Sequence, residues 1–285
     1  MAAQSPVLPA DRPFEALERL LGWRPPEDPA AFARDWVAEL DRHGVESAVL
    51  IASIPGDESA VEGALRAFPE RFFGYFMVNP LATGVVGRVE QALAAGMQGI
   101  CLFPAMQRFA LDDRRSIELI EKAAAVAGAV VFVHCGVLSV GIRKKLGLES
   151  HFDMRLSDPM AVHAIAMRFP GVTFVIPHFG AGYFREALMV ADLCPNVVLD
   201  TSSSNGWMRY HCPEITLREI FARALDVAGP RRLLFGTDSS FFPRGWNRPV
   251  FESQVTALQS LGVGAEDAAA IFGGNLRRLL AAGQS

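Results

Sequence analysis

Seven short apolar segments recur along this chain, and their spacing restricts its fold more than any other feature. Each has five to eight residues, is rich in β-branched or aromatic side chains, and precedes a stretch whose apolar residues have helical spacing. Neighbouring segments are centred about 23 to 44 residues apart, which fits one strand plus a returning helix and is too long for a hairpin. The predicted strands are Glu46–Ala52, Phe72–Asn79, Gly99–Phe103, Val130–Cys135, Thr173–Phe179, Asn196–Ser202 and Arg232–Asp238.

The segment that begins at Asp28 and Pro29 shows what lies between such strands. Asp28 is a good helix cap, Pro29 suits the first helical position, and Gly44 provides a stop. The strands are nearly continuous hydrophobic runs, which is typical of parallel strands covered by helices on both faces. The sequence therefore predicts an α/β protein.

Alternating strands and helices can form an open doubly wound sheet or a closed (β/α)₈ TIM-type barrel. A chain of 285 residues with seven clear units favours the barrel, whose usual size is about 250 residues. Neither G-x-G-x-x-G nor a P-loop motif occurs. We predict a single barrel domain over residues 1–285, with an irregular or helical segment over 1–45 and βα units over 46–280.

Charge and cysteine content bear on partners and compartment. The net charge is −4, so we expect no nucleic-acid partner, and no apolar run approaches the roughly 18 residues of a membrane span. The N-terminal residues show no signal-peptide pattern, and we therefore expect a cytoplasmic protein. The four cysteines include no C-x-x-C pair, which indicates buried reduced thiols rather than disulfides or a zinc set.

Three predicted strands end in a polar residue, namely His134, His178 and Asp238. A buried imidazole or carboxylate costs several kcal/mol unless it is paired or bound to metal, and strand ends of a barrel converge on its active-site mouth. Two imidazoles and a carboxylate are a minimal catalytic zinc set with an open position for water. Strand alternation places Gly236 and Leu234 on the same inward face as Asp238. The alternative interpretation is that each of the three is a hydrogen-bonded strand-end residue.

The loops that follow the strands carry a local excess of basic residues. Residues 136–159 include Arg155, and a later loop carries Arg244. Arginine forks suit a carboxylate or phosphate, so we expect Arg155, Trp207 and Arg244 to bind a small anionic substrate. Solvated loop charges, and burial of Trp207 at the barrel rim, are the competing interpretations.

Other polar residues have weaker assignments. Residues 200–202, Asp-Thr-Ser, close another strand and supply either acceptors behind the site or a helix cap. His43 lies at a predicted helix end and His163 inside a helix, where a structural role is expected. His211 lies in a loop after a strand, from which it can reach a ligand.

Several motifs together resemble the amidohydrolase-related (amidohydrolase 2) family of TIM-barrel metal-dependent hydrolases and decarboxylases. They are VFVHCG, VIPHFGAG, NVVLDTSS, LLFGTDSSFF and IFGGNLRRLL, in this order over about residues 46–280. The resemblance implies a (β/α)₈ barrel with a divalent metal, usually zinc, at the strand ends. It also implies that His134 is a metal ligand, that His178 is a ligand or water-activating base, and that Asp238 matches the aspartate after the eighth strand.

The chain departs from the family pattern at its N-terminus. The family's first strand normally ends in H-x-H, whereas no histidine precedes His43, and Pro6–Pro9 offers at best a degenerate strand. We expect that the first strand is either omitted from this sequence or has lost its ligands in this branch. Cys101 stands where relatives often carry lysine, so a lysine-bridged two-metal site is not expected.

The main functional hypothesis is a metal-dependent hydrolase of a small anionic organic substrate. His134, His178 and Asp238 would hold the metal, which the resemblance implies is zinc, and His178 and Asp238 would also move protons. The alternatives are a non-oxidative decarboxylase and a non-catalytic barrel with a degenerate metal site. A homodimer is expected if strand edges need covering.

Overall fold

The computed structural model describes residues 5–9, 11–24, 26, 28–203, 205–239 and 244–281. Within these ranges, seven parallel strands pair in the order of the sequence, from β1 to β7. This is the βα order that the sequence predicts. The strands are β1 Ala48–Ala52, β2 Phe72–Val78, β3 Gly99–Leu102, β4 Val130–Val133, β5 Thr173–Ile176, β6 Val197–Asp200 and β7 Leu233–Leu234.

Helices precede β1 and follow the strands. The α-helices are α1 Pro13–Leu21, α2 Pro29–Arg42, α3 Glu58–Ala67, α4 Val85–Ala94, α5 Pro104–Gln107, α6 Arg114–Ala124, α7 Gly141–Lys145, α8 Met160–Arg168, α9 Phe184–Leu193, α10 Leu217–Ala228, α11 Arg248–Ser260, α12 Ala265–Ala269 and α13 Asn275–Ala281. Single 3₁₀ turns lie at Met154–Leu156, Pro177–Gly180, Gly206–Tyr210 and Pro230–Arg232, and a π-helical segment at Ala270–Gly274.

The helix predicted after Asp28 is confirmed in its cap as well as its position. The Asp28 carboxylate accepts hydrogen bonds from the amides of Ala30 at 3.0 Å and Ala31 at 3.1 Å. These bonds satisfy amides that the first helical turn otherwise leaves without partners. Leu40 of α2 is buried in a cluster that includes Phe72 of β2, so this helix covers the outer face of the first strands.

A second apolar cluster shows that the sheet curls. It contains half-buried Val49 of β1 together with Leu234 of β7, the two edge strands, and Leu280 of α13. Side chains from both edges of the sheet can share one cluster only if the sheet bends around it. Its other buried members are Tyr75, Cys101, Val130, Phe132, Val175 and Val198.

The ring is not closed by strand pairing among the described residues, so the predicted eight-stranded barrel is present as a curled seven-stranded sheet. Residues 5–9 form bends rather than the degenerate strand predicted at Pro6–Pro9, since prolines lack the amide that a ladder needs. Two contacts bridge the region between the edges instead. Arg277 of α13 pairs with Glu46 before β1 at 2.8 Å, and the Trp246 amide donates to Glu39 of α2 at 2.9 Å.

Strand β7 is much shorter than predicted. It pairs with β6 only through Leu233 and Leu234, and the chain has left the sheet before Asp238. Strand alternation therefore holds for Leu234, which faces the inner cluster, but cannot be extended to Asp238.

The cysteines and helices agree in part with the sequence predictions. Cys101, Cys135 and Cys194 are buried free thiols, as expected, whereas Cys212 is exposed because it lies in the loop after β6. No helix in the described part of the chain combines the length and apolar character needed to cross a bilayer.

We expect Leu280→Ala to lower the free energy of unfolding by about 2–4 kcal/mol, because it leaves a cavity in the cluster around which the sheet curls. Urea denaturation followed by circular dichroism measures the change. Met167→Ala is the matched control, since Met167 is 60% exposed on α8, and its effect should stay within about 0.5 kcal/mol. Equal losses for the two variants would contradict a packed inner cluster at Leu280.

Candidate functional site

His134 and His178 meet at the carboxyl ends of neighbouring strands β4 and β5. Their ring centroids are 5.4 Å apart in an edge-to-face arrangement. The amide of His134 donates to Leu102 at 2.9 Å, so the sheet ladder extends to this residue. The His134 ring is 4% exposed and stacks on Phe103 at 5.2 Å. The sheet thus holds one imidazole rigidly beside a second, which is half-buried.

The second imidazole is positioned by an unusual turn. Residues His178 to Ala181 all have positive φ, with φ values of 56°, 52°, 83° and 43°. Only the third of these is a glycine, and left-handed backbone costs other residues of order 1 kcal/mol or more each. The turn is held by bonds from the Ala181 amide to His178 at 2.8 Å and from the Val137 amide to Ala181 at 2.7 Å.

Gly136 allows the loops after β4 and β5 to touch. A Cβ at this position would lie 2.1 Å from the Gly180 carbonyl oxygen and 2.4 Å from that of Ala181. The φ of Gly136 is also +79°, which disfavours any side chain. The two histidine-bearing loops are therefore in direct backbone contact, and glycine is required for it.

His178 is joined to the end of β6 by hydrogen bonds. Its Nδ1 lies 3.0 Å from the Ser202 Oγ and 3.1 Å from the Ser202 carbonyl oxygen. The Ser202 hydroxyl donates to Asp200, and the Ser202 amide donates to the same carboxylate at 2.9 Å. The Asp-Thr-Ser segment thus supplies acceptors behind the histidine pair, the first of the two interpretations from sequence.

Burial controls the ionisation of the groups around the pair. Burial, reinforced by nearby His178, lowers the pKa of His134 to about 3, so its imidazole is neutral at pH 7. Burial raises the pKa of Asp200, against the opposing effects of His178 and the hydrogen bonds from Ser202. Burial also raises the pKa values of Tyr75 and Cys101 well above their usual ranges. Burial next to the pair therefore favours the uncharged form of each of these side chains.

Asp238 does not join the two histidines. It is exposed, has a φ of 52°, and follows the end of β7, and its carbonyl oxygen accepts a hydrogen bond from Arg244 at 2.6 Å. In the described ranges, no group of three histidine, cysteine, aspartate or glutamate side chains could hold a metal ion. The buried His134 Nδ1 has no hydrogen-bond partner and would suit a metal, yet catalytic zinc takes three protein ligands. The residues described here supply two imidazoles and do not fit that set.

The predicted substrate-binding arginines lie on the surface. Arg155 is exposed and makes a two-pronged pair with Asp153, at 2.9 and 2.7 Å. The Arg155 side chain therefore neutralises its own loop rather than pointing to the histidines. Arg244 is also exposed and contacts the backbone of Asp238.

Trp207 is 5% exposed, and its ring packs against Phe184 and His211 with centroids 6.1 and 5.6 Å away. Its indole Nε1 and the His211 Nε2 are buried without hydrogen-bond partners. The ring therefore stiffens the loop after β6, as the rim interpretation expects.

The sequence predicted that residues 200–202 could supply acceptors behind the site, but not that Ser202 would bond His178. The signal was present, because residues two apart on a strand share a face, so Asp200 and Ser202 point the same way. The stack of Phe103 on His134 and the glycine required at position 136 depend on contacts between separate loops, which no local pattern reveals.

Comparison with known proteins identifies a family. The sequence profile described as Amidohydrolase matches residues 9–281. Over 95 residues the chain is 32% identical to protein fluG of Emericella nidulans, an alignment that covers 33% of this chain and 10% of fluG. The chain thus spans only a small part of that relative.

Solved structures share the fold at low identity. A 5-carboxyvanillate decarboxylase of Novosphingobium aromaticivorans, with bound manganese and a nitrobenzoic acid, has a TM-score of 0.63 at 17% identity, covering 99% of this chain and 86% of its own. A probable 2-pyrone-4,6-dicarboxylic acid hydrolase of Acinetobacter baumannii, with citric acid bound, has a TM-score of 0.59 at 14% identity. The match covers 87% of this chain and 88% of that protein. A Burkholderia multivorans amidohydrolase with bound zinc has a TM-score of 0.59 at 16% identity, and the match covers 87% of this chain and 88% of that protein.

We expect Gly136→Ala to destabilise the protein by about 2–4 kcal/mol, because the new methyl group overlaps the carbonyls of the turn after β5 and the backbone is left-handed. Chemical denaturation measures the loss. Gly171→Ala is the control, since no atom lies within 4 Å of its Cβ position, and it should change stability by less than about 1 kcal/mol. A tolerated Gly136→Ala variant would show that the two loops do not meet as described.

Proposed function

This chain belongs to the amidohydrolase family, and we propose that it is a hydrolase of a small carboxylated organic substrate which reacts beside His134 and His178. The observation that carries the proposal is the meeting of these two imidazoles at the carboxyl ends of β4 and β5, with ring centroids 5.4 Å apart. In barrels of parallel strands, active sites are built at this edge.

His178 has the features of a general base. The Ser202 carbonyl can only accept a hydrogen bond, so the Nδ1 atom 3.1 Å away carries the proton. The Nε2 atom is then left with a lone pair. In hydrolysis, Nε2 takes a proton from water as its oxygen bonds to the substrate's carbonyl carbon, and it returns that proton to the departing oxygen or nitrogen. His134, neutral and fixed by the sheet, bounds the same place and orients the reacting groups.

The proposed substrate class rests on charge and on the neighbours. The loops after the strands expose guanidinium groups, among them Arg108 after β3, Arg209 after β6 and Arg244 after β7. Two of the solved neighbours named above, the decarboxylase and the probable hydrolase, are named for carboxylated compounds and hold a carboxylic acid. An exposed cationic rim would concentrate such anions near the histidines.

A divalent metal, zinc by resemblance, remains a sequence prediction. Zinc and manganese are bound in two of the neighbours, and a metal there would lower the pKa of bound water. In this chain His134 and His178 would supply two nitrogen ligands. The described residues bring no third ligand to these two histidines.

Non-oxidative decarboxylation is the second candidate. The aromatic stack of Phe103 on His134 and the neutral Tyr75 and Cys101 give the pair an apolar setting, which favours loss of a carboxylate's concentrated charge. The bond from carbon to the carboxyl group breaks, carbon dioxide leaves, and a protonated His178 donates a proton to the carbon left behind. No water is consumed.

We expect His178→Ala to lower kcat/KM by about 10²- to 10⁴-fold on a substrate found by screening carboxylated lactones, esters and aromatic acids. His163→Ala, on α8 outside the pair, is the control and should stay within about twofold of wild type. Reaction in H₂¹⁸O separates the two chemistries, because hydrolysis places ¹⁸O in the organic product, whereas decarboxylation releases carbon dioxide and leaves the organic product unlabelled. Turnover that survives both His134→Ala and His178→Ala would refute the site, and absence of turnover across the screen would favour a non-catalytic barrel.

Metal content provides an independent check. With two imidazoles as the described donors, we expect zinc bound well below one equivalent after purification without chelator, and further reduced in His134→Ala. Elemental analysis of wild type, His134→Ala and His163→Ala measures this. Stoichiometric zinc that disappears in His134→Ala would show that the residues outside the described ranges, or a rearranged Asp238, complete the ligand set.

A further inference from the structure

Behind His178, an acidic side chain is connected to the imidazole through one hydroxyl group. Asp200 and Ser202 come from the end of β6, and His178 from the turn after β5. The Ser202 Oγ lies 3.0 Å from the His178 Nδ1 and also contacts the Asp200 carboxylate. The three groups form a continuous chain in the order Asp200, Ser202, His178.

Counting donors and acceptors fixes the direction of this chain. One oxygen of the Asp200 carboxyl group accepts both the amide and the hydroxyl proton of Ser202. The Ser202 hydroxyl has then spent its single proton, so its oxygen can only accept from His178. The Ser202 carbonyl, at 3.1 Å, is a second acceptor for the same Nδ1.

The interior of the curled sheet leaves room for this chain of hydrogen bonds. A Cβ at Gly236, just after β7, would lie 2.8 Å from the Ser202 Cβ and 3.0 Å from the Asp200 Oδ2. Glycine at this position therefore leaves the room that the carboxylate occupies. The φ of 56° at His178 turns its ring towards β6, and the bonds to Ser202 offset part of that backbone cost.

We propose that Asp200 and Ser202 are positioning residues that hold His178 in the tautomer with its proton on Nδ1, so that Nε2 faces the reacting groups as a base. The inference rests on the proposed function for its catalytic meaning, although the tautomer itself does not. Asp200 and Ser202 act through His178 rather than on the substrate.

The direct test is the ¹⁵N spectrum of the histidine side chains, with His178 assigned by its loss in His178→Ala. In wild type we expect His178 to carry its proton on Nδ1. In Asp200→Asn the new amide can donate to Ser202, which frees the hydroxyl to donate to His178. The share of His178 with its proton on Nδ1 should therefore fall, while the Ser202 carbonyl still accepts from the remaining Nδ1 tautomer. Ser202→Ala should give a mixture of tautomers, Ser202→Thr should behave as wild type, and Ser116→Ala, a buried serine bonded to the Ala110 carbonyl, is the matched control.

A kinetic test uses a substrate identified in the activity screen of carboxylated compounds. We expect Asp200→Asn and Ser202→Ala to lower kcat by about 10- to 100-fold with KM changed less than about threefold, as for other groups that orient a functional histidine. Ser202→Thr should recover most of kcat. Should Asp200→Asn not fold, Ser202→Ala against Ser202→Thr gives the same comparison.

The outcomes separate the two proposals. If wild-type His178 carries its proton on Nε2, or if the tautomer is the same in wild type, Asp200→Asn and Ser202→Ala, the positioning role is overturned even when His178→Ala is inactive. If the tautomer shifts as expected and no substrate reacts, the positioning role stands and the proposed function fails.

Discussion

The parallel register of the sheet is the constraint on which the rest of the structure depends. Every strand runs the same way, so each strand's carboxyl end reaches the same edge, and residues far apart in sequence arrive there together. His134, His178 and Ser202 come from three successive strands and meet for this reason. The inner cluster that spans β1 to β7 then bends this edge into a concave rim.

The rim is incomplete in the described ranges, and the missing closure explains the position of Asp238. A residue at the end of a barrel strand is held inward by ladders on both sides, whereas β7 has a partner on one side only and pairs through two residues. Released from the sheet, the chain turns through a left-handed backbone at Asp238 and exposes the side chain. His134 is held by the bond from its amide to Leu102 of β3. His178 is held by the turn after β5 and by its hydrogen bonds to Ser202.

Burial and hydrogen bonding distinguish the two imidazoles of the histidine pair. A buried, neutral His134 and a His178 whose Nδ1 faces two acceptors are not equivalent, although both are strand-end histidines. The difference comes from the neighbours. Phe103 stacks on the first ring, and the polar end of β6 bonds the second. The two imidazoles therefore differ in their hydrogen-bonding capacity, although both lie at strand ends.

The sequence by itself determined the βα order, the seven strands and the strand-end location of both histidines, because hydrophobic periodicity and the apolar runs are local properties of the chain. It also contained the family's motifs, which the profile match over residues 9–281 confirms. Tertiary structure alone decided that the sheet curls without closing over the described residues, that Asp238 is exposed beyond the end of β7, and that Arg155 pairs with Asp153. Each of these outcomes depends on contacts between residues distant in sequence or on where the ladder ends. Side chains alternate between the two faces of a sheet only while their backbone remains hydrogen-bonded in it, so this alternation cannot be used beyond the end of a strand.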